Sequence, residues 1–330
     1  MEEILRRRQK TESKLGILKD KLRNCFAVAE GKACVYVTGS FGRGEAGDHS
    51  DLDLFILGKV KPGDKEEESR LSRLDEICLK AELIKACREL SIPEFSGDGR
   101  YLTHYSESHI VKTLGKPEDD QTNTFTARLL LLLESRPLIE EAVYNELIPN
   151  VVAAYWRDYE DHKDDFMPAF LANDILRLWR TFCVNYEART ERVPESEKAK
   201  GKLKNYKLKH SRLLTCYSAI LYLLAVYNRT HTVAPDDVLD MIRISPTERL
   251  EWLLQQDDLV SSRDAVTRLL AQYDQFLKTT SSPEEELIKD FSDKSVGRSR
   301  LKSASNFGNA LFEALSIIGN GSPFHRLLIV

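Results

Sequence analysis

The chain has no apolar stretch long enough to cross a membrane and no secretory signal segment at its start. Charged residues open the sequence instead, among them Glu2, Glu3 and Arg6. A membrane helix needs about 20 mostly apolar residues, and a signal peptide needs an apolar core of about 7–15. These absences predict a protein of the reducing cytoplasm that has no membrane partner.

Metal-binding cysteine and histidine patterns are also lacking. None of the cysteines forms a Cys-x-x-Cys pair, and none has a histidine at zinc-site spacing. The seven histidines do not cluster, so a histidine-based phosphohydrolase would have no ligands. Nucleophile-elbow and Walker phosphate-loop motifs are absent too. The six cysteines lie within helix-like or strand-like patterns, as reduced core residues would: Cys25, Cys34, Cys78, Cys87, Cys183 and Cys216.

The charge balance excludes a general polyanion-binding protein. Positive and negative residues nearly cancel, with a formal net charge of −4, so any contact with nucleic acid needs a local basic patch. The length of 330 residues, with 42% hydrophobic residues, is enough for two domains with real cores.

Two aspartates lie in an apolar run that is typical of a strand. Asp51 and Asp53 alternate with Leu52 and Leu54 in the segment SDLDLFIL. Side chains two apart on a strand project from the same face, so the two carboxylates are expected to point together. They repel each other unless a divalent cation is shared, and Mg²⁺ prefers such oxygen ligands. The sequence therefore predicts a Mg²⁺ site at Asp51 and Asp53, with Mn²⁺ as an alternative.

A glycine-rich turn precedes this run. Val35–Val37 reads as a short buried strand that leads into Gly39 and Ser40. Glycine lets the backbone approach a ligand closely, and N–H groups at a strand-to-helix turn suit phosphate. We expect Gly39 and Ser40 to grip phosphates and Arg43 to contact phosphate, with a solvated loop arginine as the alternative. Glu45 is expected to be a local structural partner.

The Gly-Ser pair followed by Asp-x-Asp resembles the signature of the polymerase-β-like nucleotidyltransferase superfamily. The version here, GSFGRGE and then SDLDLFIL, is most similar to PII-uridylyltransferase-like enzymes and also similar to cyclic GMP-AMP synthase-like enzymes. The resemblance implies an α+β fold with a small mixed-sheet nucleotidyltransferase domain and a large all-helical C-terminal domain. It also implies a third carboxylate from a later segment. Asp98, before Gly99, is our candidate, with an Asp-Gly turn as the alternative and with Asp119 and Asp120 as weaker rivals.

The pattern becomes helical from Thr124 onward. We therefore expect a packing helix over 1–30, a catalytic domain over 31–123 and a helical domain over 124–330. Asn173, Arg177 and Arg180 recur on one helix face, either as salt-bridge partners or as lining of a nucleotide pocket. Residues 198–212 are rich in lysine, usually the mark of a solvated face. Lys204, Lys207 and Lys209 are the candidates for binding triphosphate, because the resembling enzymes commonly use a lysine of the helical domain. RNA phosphates are the alternative partner of this segment.

The sequence thus predicts a Mg²⁺-dependent nucleotidyltransferase. It would transfer a nucleoside monophosphate from a nucleoside triphosphate to a hydroxyl on a protein or small molecule, releasing pyrophosphate. Two alternatives stay open at this point. One is synthesis of a cyclic or linear oligonucleotide messenger, and the other is a non-catalytic nucleotide-binding regulator.

Overall fold

The computed structural model describes residues 1–61, 63, 69–95, 99, 102–190 and 194–329, with the backbone alone for 195 and 196. Contacts divide the chain into two compact units, which we name the sheet unit (Leu5–Arg157) and the helical unit (Met1–Ile4 with Asp158–Val330). Among the described residues, no helix combines the length and the apolar character that a membrane span requires.

The sheet unit contains four strands and eight helices within the described residues. Most of α1 lies in this unit, and its first residues belong to the helical unit. In chain order the elements are α1 (Glu2–Lys21), α2 (Arg23–Ala29), β1 (Ala33–Thr38), α3 (Gly39–Gly42), β2 (Asp53–Gly58), α4 (Arg73–Glu89), β3 (His104–Ser106), α5 (Glu107–Lys112), α6 (Glu118–Gln121), α7 (Thr124–Glu134), β4 (Arg136–Ile139) and α8 (Glu141–Ala153).

The strands form one mixed sheet in the order β3-β2-β1-β4. Strand β1 pairs antiparallel with both β2 and β4, and β3 runs parallel to β2. All six residues of β1 are buried, as expected for a central strand covered on both faces. One face packs in a core with α1, α2 and α4 that includes Leu18 and Leu79. On the other face Tyr36 stacks on Phe55, and the Tyr36 hydroxyl donates to the Ala127 carbonyl of α7 at 3.2 Å.

Strand β4 was not predicted from the sequence. The pattern was expected to be helical from Thr124 onward, but Arg136–Ile139 pairs with β1, with Val37 opposite Arg136 and Val35 opposite Ile139. Pro137 is compatible with this position because β4 is the edge strand of the sheet, where a missing N–H is tolerated. With α7 and α8 it belongs to the sheet unit, which ends at Arg157, and the predicted end of the catalytic domain at residue 123 stays a prediction.

Within the described residues, the α-helices of the helical unit are, in chain order, α9 (Ala169–Thr190), α10 (Glu195–Lys207), α11 (Leu213–Thr230), α12 (Pro235–Arg243), α13 (Pro246–Leu254), α14 (Arg263–Thr279), α15 (Glu284–Ser292), α16 (Lys294–Ile318) and α17 (Pro323–Leu327). A π-helical turn, Leu208–Arg212, joins α10 to α11. Most side chains of α11 are buried, because several of the other helices pack around it. A small mixed sheet with a helical remainder confirms the predicted α+β class.

Candidate active site

The Gly-Ser turn lies directly against the second aspartate. In the sheet, Thr38 at the end of β1 is paired with Asp53 at the start of β2. Gly39 follows with φ +63°, a left-handed conformation that glycine adopts readily. A Cβ placed on Gly39 would lie 2.5 Å from Asp53 Oδ2, so only glycine lets the backbone come this close to the carboxylate. The turn and the Asp-x-Asp segment therefore meet where β1 ends and β2 begins.

Both aspartates lie where the chain enters β2. Leu52, Leu54 and Ile56 are buried in one core cluster, which is the alternation of an extended segment. The side chains between them project toward the opposite side, where Phe55 packs on Tyr36. Asp53 is half-buried and Asp51 is exposed. This alternation is consistent with two carboxylates on one side, of which Asp51 is the more open to solvent.

Arg43 is buried between two carboxylates. Its Nε donates to Glu45 Oε2 at 2.8 Å, and its Nη1 donates to Glu134 Oε2 at 2.9 Å. All three side chains are at least nine-tenths buried. Such a pair stabilises geometry, because breaking it would leave an uncompensated buried charge. These contacts give Arg43 a structural role and agree with the expected structural role of Glu45, and the expected phosphate contact by Arg43 stays a prediction.

Glu134 is a contributor that the sequence reasoning missed. Its Oε1 accepts the backbone N–H of Gly39 at 3.0 Å while its Oε2 holds Arg43. A Cβ on Gly42 would overlap the Glu134 carbonyl oxygen, so the turn is packed tightly on the end of α7. The Gly39 N–H was expected to bind phosphate, but it is engaged by Glu134. A single acidic residue after five leucines, in LLLLLE, was the available signal, because a buried acid requires a partner.

The N-terminal helix holds the far side of the turn. Arg7 Nη1 donates to the Glu45 carbonyl at 3.2 Å, and the Ala46 N–H donates to Thr11 Oγ1 at 2.9 Å. Lys14 Nζ contacts the Gly47 carbonyl. Burial lowers the pKa of Lys14, and the neighbouring Lys10 lowers it further. Side chains of α1 therefore hold the C-terminal part of the glycine-rich turn in place by hydrogen bonds.

One buried hydroxyl beside the aspartates has no partner. Thr38 is buried, and its Oγ1 makes no hydrogen bond within the described residues. A buried polar atom left in this state costs about 1–3 kcal/mol, and such atoms are uncommon. Because Thr38 is paired with Asp53, this hydroxyl lies at the same end of the strands as the carboxylates.

The predicted third carboxylate, Asp98, lies outside the described residues. Strand β3 runs parallel to β2, so Leu102 and Thr103 enter it from the end of the sheet where Asp53 begins β2. The rival Asp119 is fully buried, accepting from Arg128 Nη1 at 2.9 Å and from Thr124 Oγ1 at 2.8 Å. Asp119 is thus a structural residue, and Asp120 is exposed on the same short helix.

Among the residues that the structure describes, no three or more His, Cys, Asp or Glu side chains are grouped so that they could hold a metal ion. Asp51 and Asp53 supply two carboxylates, the oxygen donors that suit Mg²⁺ or Mn²⁺.

The candidate lysines lie in the helical unit. Lys204 and Lys207 are on α10, Lys209 is on the π turn, and all three are exposed. On the same helix Lys200 pairs with Glu284 of α15 at 3.4 Å. The predicted contact of these lysines with triphosphate or RNA stays a prediction.

Comparison with known proteins agrees with the geometry of the sheet unit. Residues 19–96 match the family described as Nucleotidyltransferase domain. No significant match was found among curated proteins or among solved structures. The matched segment runs from the end of α1 through β1, the Gly-Ser turn, β2 and α4, and so includes Asp51 and Asp53. This similarity to a nucleotidyltransferase domain supports nucleotidyl transfer in general.

Proposed function

We propose that this protein transfers a nucleoside monophosphate from a nucleoside triphosphate to a hydroxyl acceptor, releasing pyrophosphate. One observation carries the proposal: Gly39 approaches Asp53 so closely that a Cβ would meet Asp53 Oδ2 at 2.5 Å. A phosphate-binding turn and an acidic metal site need this proximity, because the metal ion must contact the phosphates that the turn positions.

Asp51 and Asp53 would hold the Mg²⁺ ions, and Asp98 would complete their ligands. Bound metal would neutralise the charge of the phosphates and the negative charge that develops on the departing pyrophosphate. The unpaired Thr38 hydroxyl is consistent with a polar ligand at this end of the strands, since a bound phosphate or water would give it a hydrogen-bond partner. Asp98 would also help to take the acceptor's proton.

Ser40 is the residue of the turn to which we assign phosphate binding. Gly39 contributes by allowing close approach, while Glu134 engages its N–H. Arg43 and Glu45 would keep the turn in place rather than touch the nucleotide. Lys204, Lys207 and Lys209 are proposed to neutralise the triphosphate.

The acceptor is proposed to be a hydroxyl on a protein or a small molecule, as the similarity to PII-uridylyltransferase-like enzymes suggests. Incubation of the protein with each α-labelled nucleoside triphosphate and Mg²⁺, alone and with cell lysate, tests this. Label on protein bands or on a small molecule that comes from the lysate is the expected outcome. A soluble oligonucleotide from triphosphate alone would indicate messenger synthesis. Triphosphate binding without any product would indicate a regulator.

Matched variants make this experiment specific. Asp51→Asn with Asp53→Asn should abolish transfer while thermal unfolding stays close to that of the wild type. Asp20→Asn is the control, because Asp20 is an exposed aspartate of α1 that pairs with Arg23 at 2.8 Å. Persistent transfer by the double variant would place the chemistry elsewhere.

A further inference from the structure

We propose that the helical unit carries a binding surface for single-stranded nucleic acid, which shares Lys209 with the proposed triphosphate contact. Three segments contribute to it: α9, the π turn and α11. We name it the α9 surface, and its stacking and charged residues are Trp179, Arg180, Phe182, Lys209, Arg212 and Tyr217. Aromatic faces beside cations are the combination that binds bases and phosphates of a single strand.

The aromatic residues of the α9 surface are partly open to solvent and already engaged with cations or one another. The Arg212 guanidinium lies 5.2 Å from the Phe182 ring centroid. Trp179 and Tyr217 meet edge to face, with ring centroids 6.4 Å apart. All of these side chains are half-buried, so each ring is anchored by the fold and still offers surface to a ligand. Anchored rings lose little conformational entropy when a base stacks on them.

The π turn carries Lys209 and Arg212, which both lie near α9. Inside the turn, His210 is fully buried, stacks on Phe276 at 4.5 Å and contacts the Tyr206 carbonyl through Nδ1 at 2.9 Å. Its neighbour Lys209 is exposed, and the charge of Lys209 reaches α9, where it opposes the burial that raises the pKa of Cys183. π-helical turns are rare and often occur at functional sites. The buried His210 therefore anchors the turn that carries Lys209 and Arg212.

Arg180 also borders a shallow depression of about 310 Å³, which is lined by Asn173, Arg177 and Asn185 and by the apolar Leu176 and Val184. At 3.6 residues per turn, most of this lining lies on the side of α9 turned away from Phe182, so Arg180 is the residue that the depression and the α9 surface share.

The charge of the α9 surface favours an anionic partner on a chain that is acidic overall. The acidic neighbours are Asp174, whose carboxylate lies 3.7 Å from Arg177, and the exposed Glu187. The positive charges are the exposed Arg180 and Lys209 and the half-buried Arg212. The lysine-rich segment alone offered only Tyr206 for stacking, and Tyr206 is buried. The stacking groups come instead from α9 and α11.

The test is fluorescence anisotropy of a labelled oligouridylate of about twelve nucleotides, without nucleoside triphosphate or metal, at about 50 and about 200 mM salt. The wild type should bind with a steep salt dependence. Arg180→Ala with Lys209→Ala should weaken binding at least tenfold and reduce the salt slope by about 1.4, since each phosphate contact contributes about 0.7. Phe182→Leu should weaken binding without changing the slope.

The matched control removes two exposed cations from another helix of the same unit. Arg298→Ala with Lys302→Ala on α16 makes the same charge change and should leave binding unaltered. Equal losses in both double variants would overturn the proposal, as would wild-type binding by the α9 variant. Full displacement by millimolar uridine monophosphate, or equal affinity for a duplex, would also overturn it. Because no transfer is measured, failure of this proposal and failure of the proposed chemistry are separate results.

Discussion

Replacing Gly39 with alanine tests the geometry of the turn most sharply. Two costs arise at this position. A left-handed conformation costs a non-glycine residue about 1–2 kcal/mol, and the φ of Gly39 is +63°. The new Cβ would also lie 2.5 Å from Asp53 Oδ2, and relief of such overpacking costs about 1–3 kcal/mol more. We expect Gly39→Ala to lower the free energy of unfolding by about 2–5 kcal/mol.

Gly31 provides a matched control for the backbone cost alone. Its φ is +61°, and a Cβ there would meet nothing within 4 Å. Gly31→Ala should therefore cost only about 1–2 kcal/mol in chemical denaturation and leave transfer intact. In Gly39→Ala the carboxylate must move, and a displacement of about 1 Å can reduce kcat on the order of 100-fold. Equal stability of the two variants, with full activity of Gly39→Ala, would refute the proposed contact between turn and aspartate.

Three further predictions concern residues around and beyond the turn. Glu134→Ala should cost about 2–5 kcal/mol in chemical denaturation, because the buried Gly39 N–H and Arg43 Nη1 both lose their acceptor while Glu45 still balances the charge of Arg43; a cost below about 1 kcal/mol, the value for an exposed pair, would contradict this. Burial lowers the pKa of His210 to about 4, so the folded protein should lose stability as pH falls from about 6.5 toward 4. Thermal unfolding should show a loss of about 3 kcal/mol that His210→Phe removes, and an unchanged pH profile in that variant would contradict the assignment. Asp98→Asn should reduce turnover at least 100-fold if Asp98 is the third carboxylate, whereas a near-normal rate in steady-state assays would leave it as a turn residue.

The local part of the site was predictable from the sequence, and the long-range part was not. The strand that begins at Asp53 and the glycine turn before it are short-range patterns, and their apolar alternation is visible in the chain. Arg43 and Glu134 are 91 residues apart, so the sequence around Arg43 indicates its local partner Glu45 but not Glu134. The phosphate contact of Arg43 stays a prediction.

The same limit explains the missed strand and the α9 surface. Strand β4 has four residues and a proline, and only its pairing with β1 distinguishes it from the start of a helix. Trp179 and Tyr217 come from different helices, so a search along the lysine-rich segment could not find them. Periodicity reports which residues are buried, but it does not report which buried faces meet.

The central claim is that Asp51 and Asp53 bind a metal ion that the phosphates of a nucleotide then join. The most direct measurement is calorimetric titration of a non-hydrolysable nucleoside triphosphate analogue, with and without Mn²⁺, into the wild type and into Asp51→Asn with Asp53→Asn. We predict metal-dependent binding by the wild type and its loss in the double variant. Equally tight, metal-dependent binding by both proteins would contradict the account.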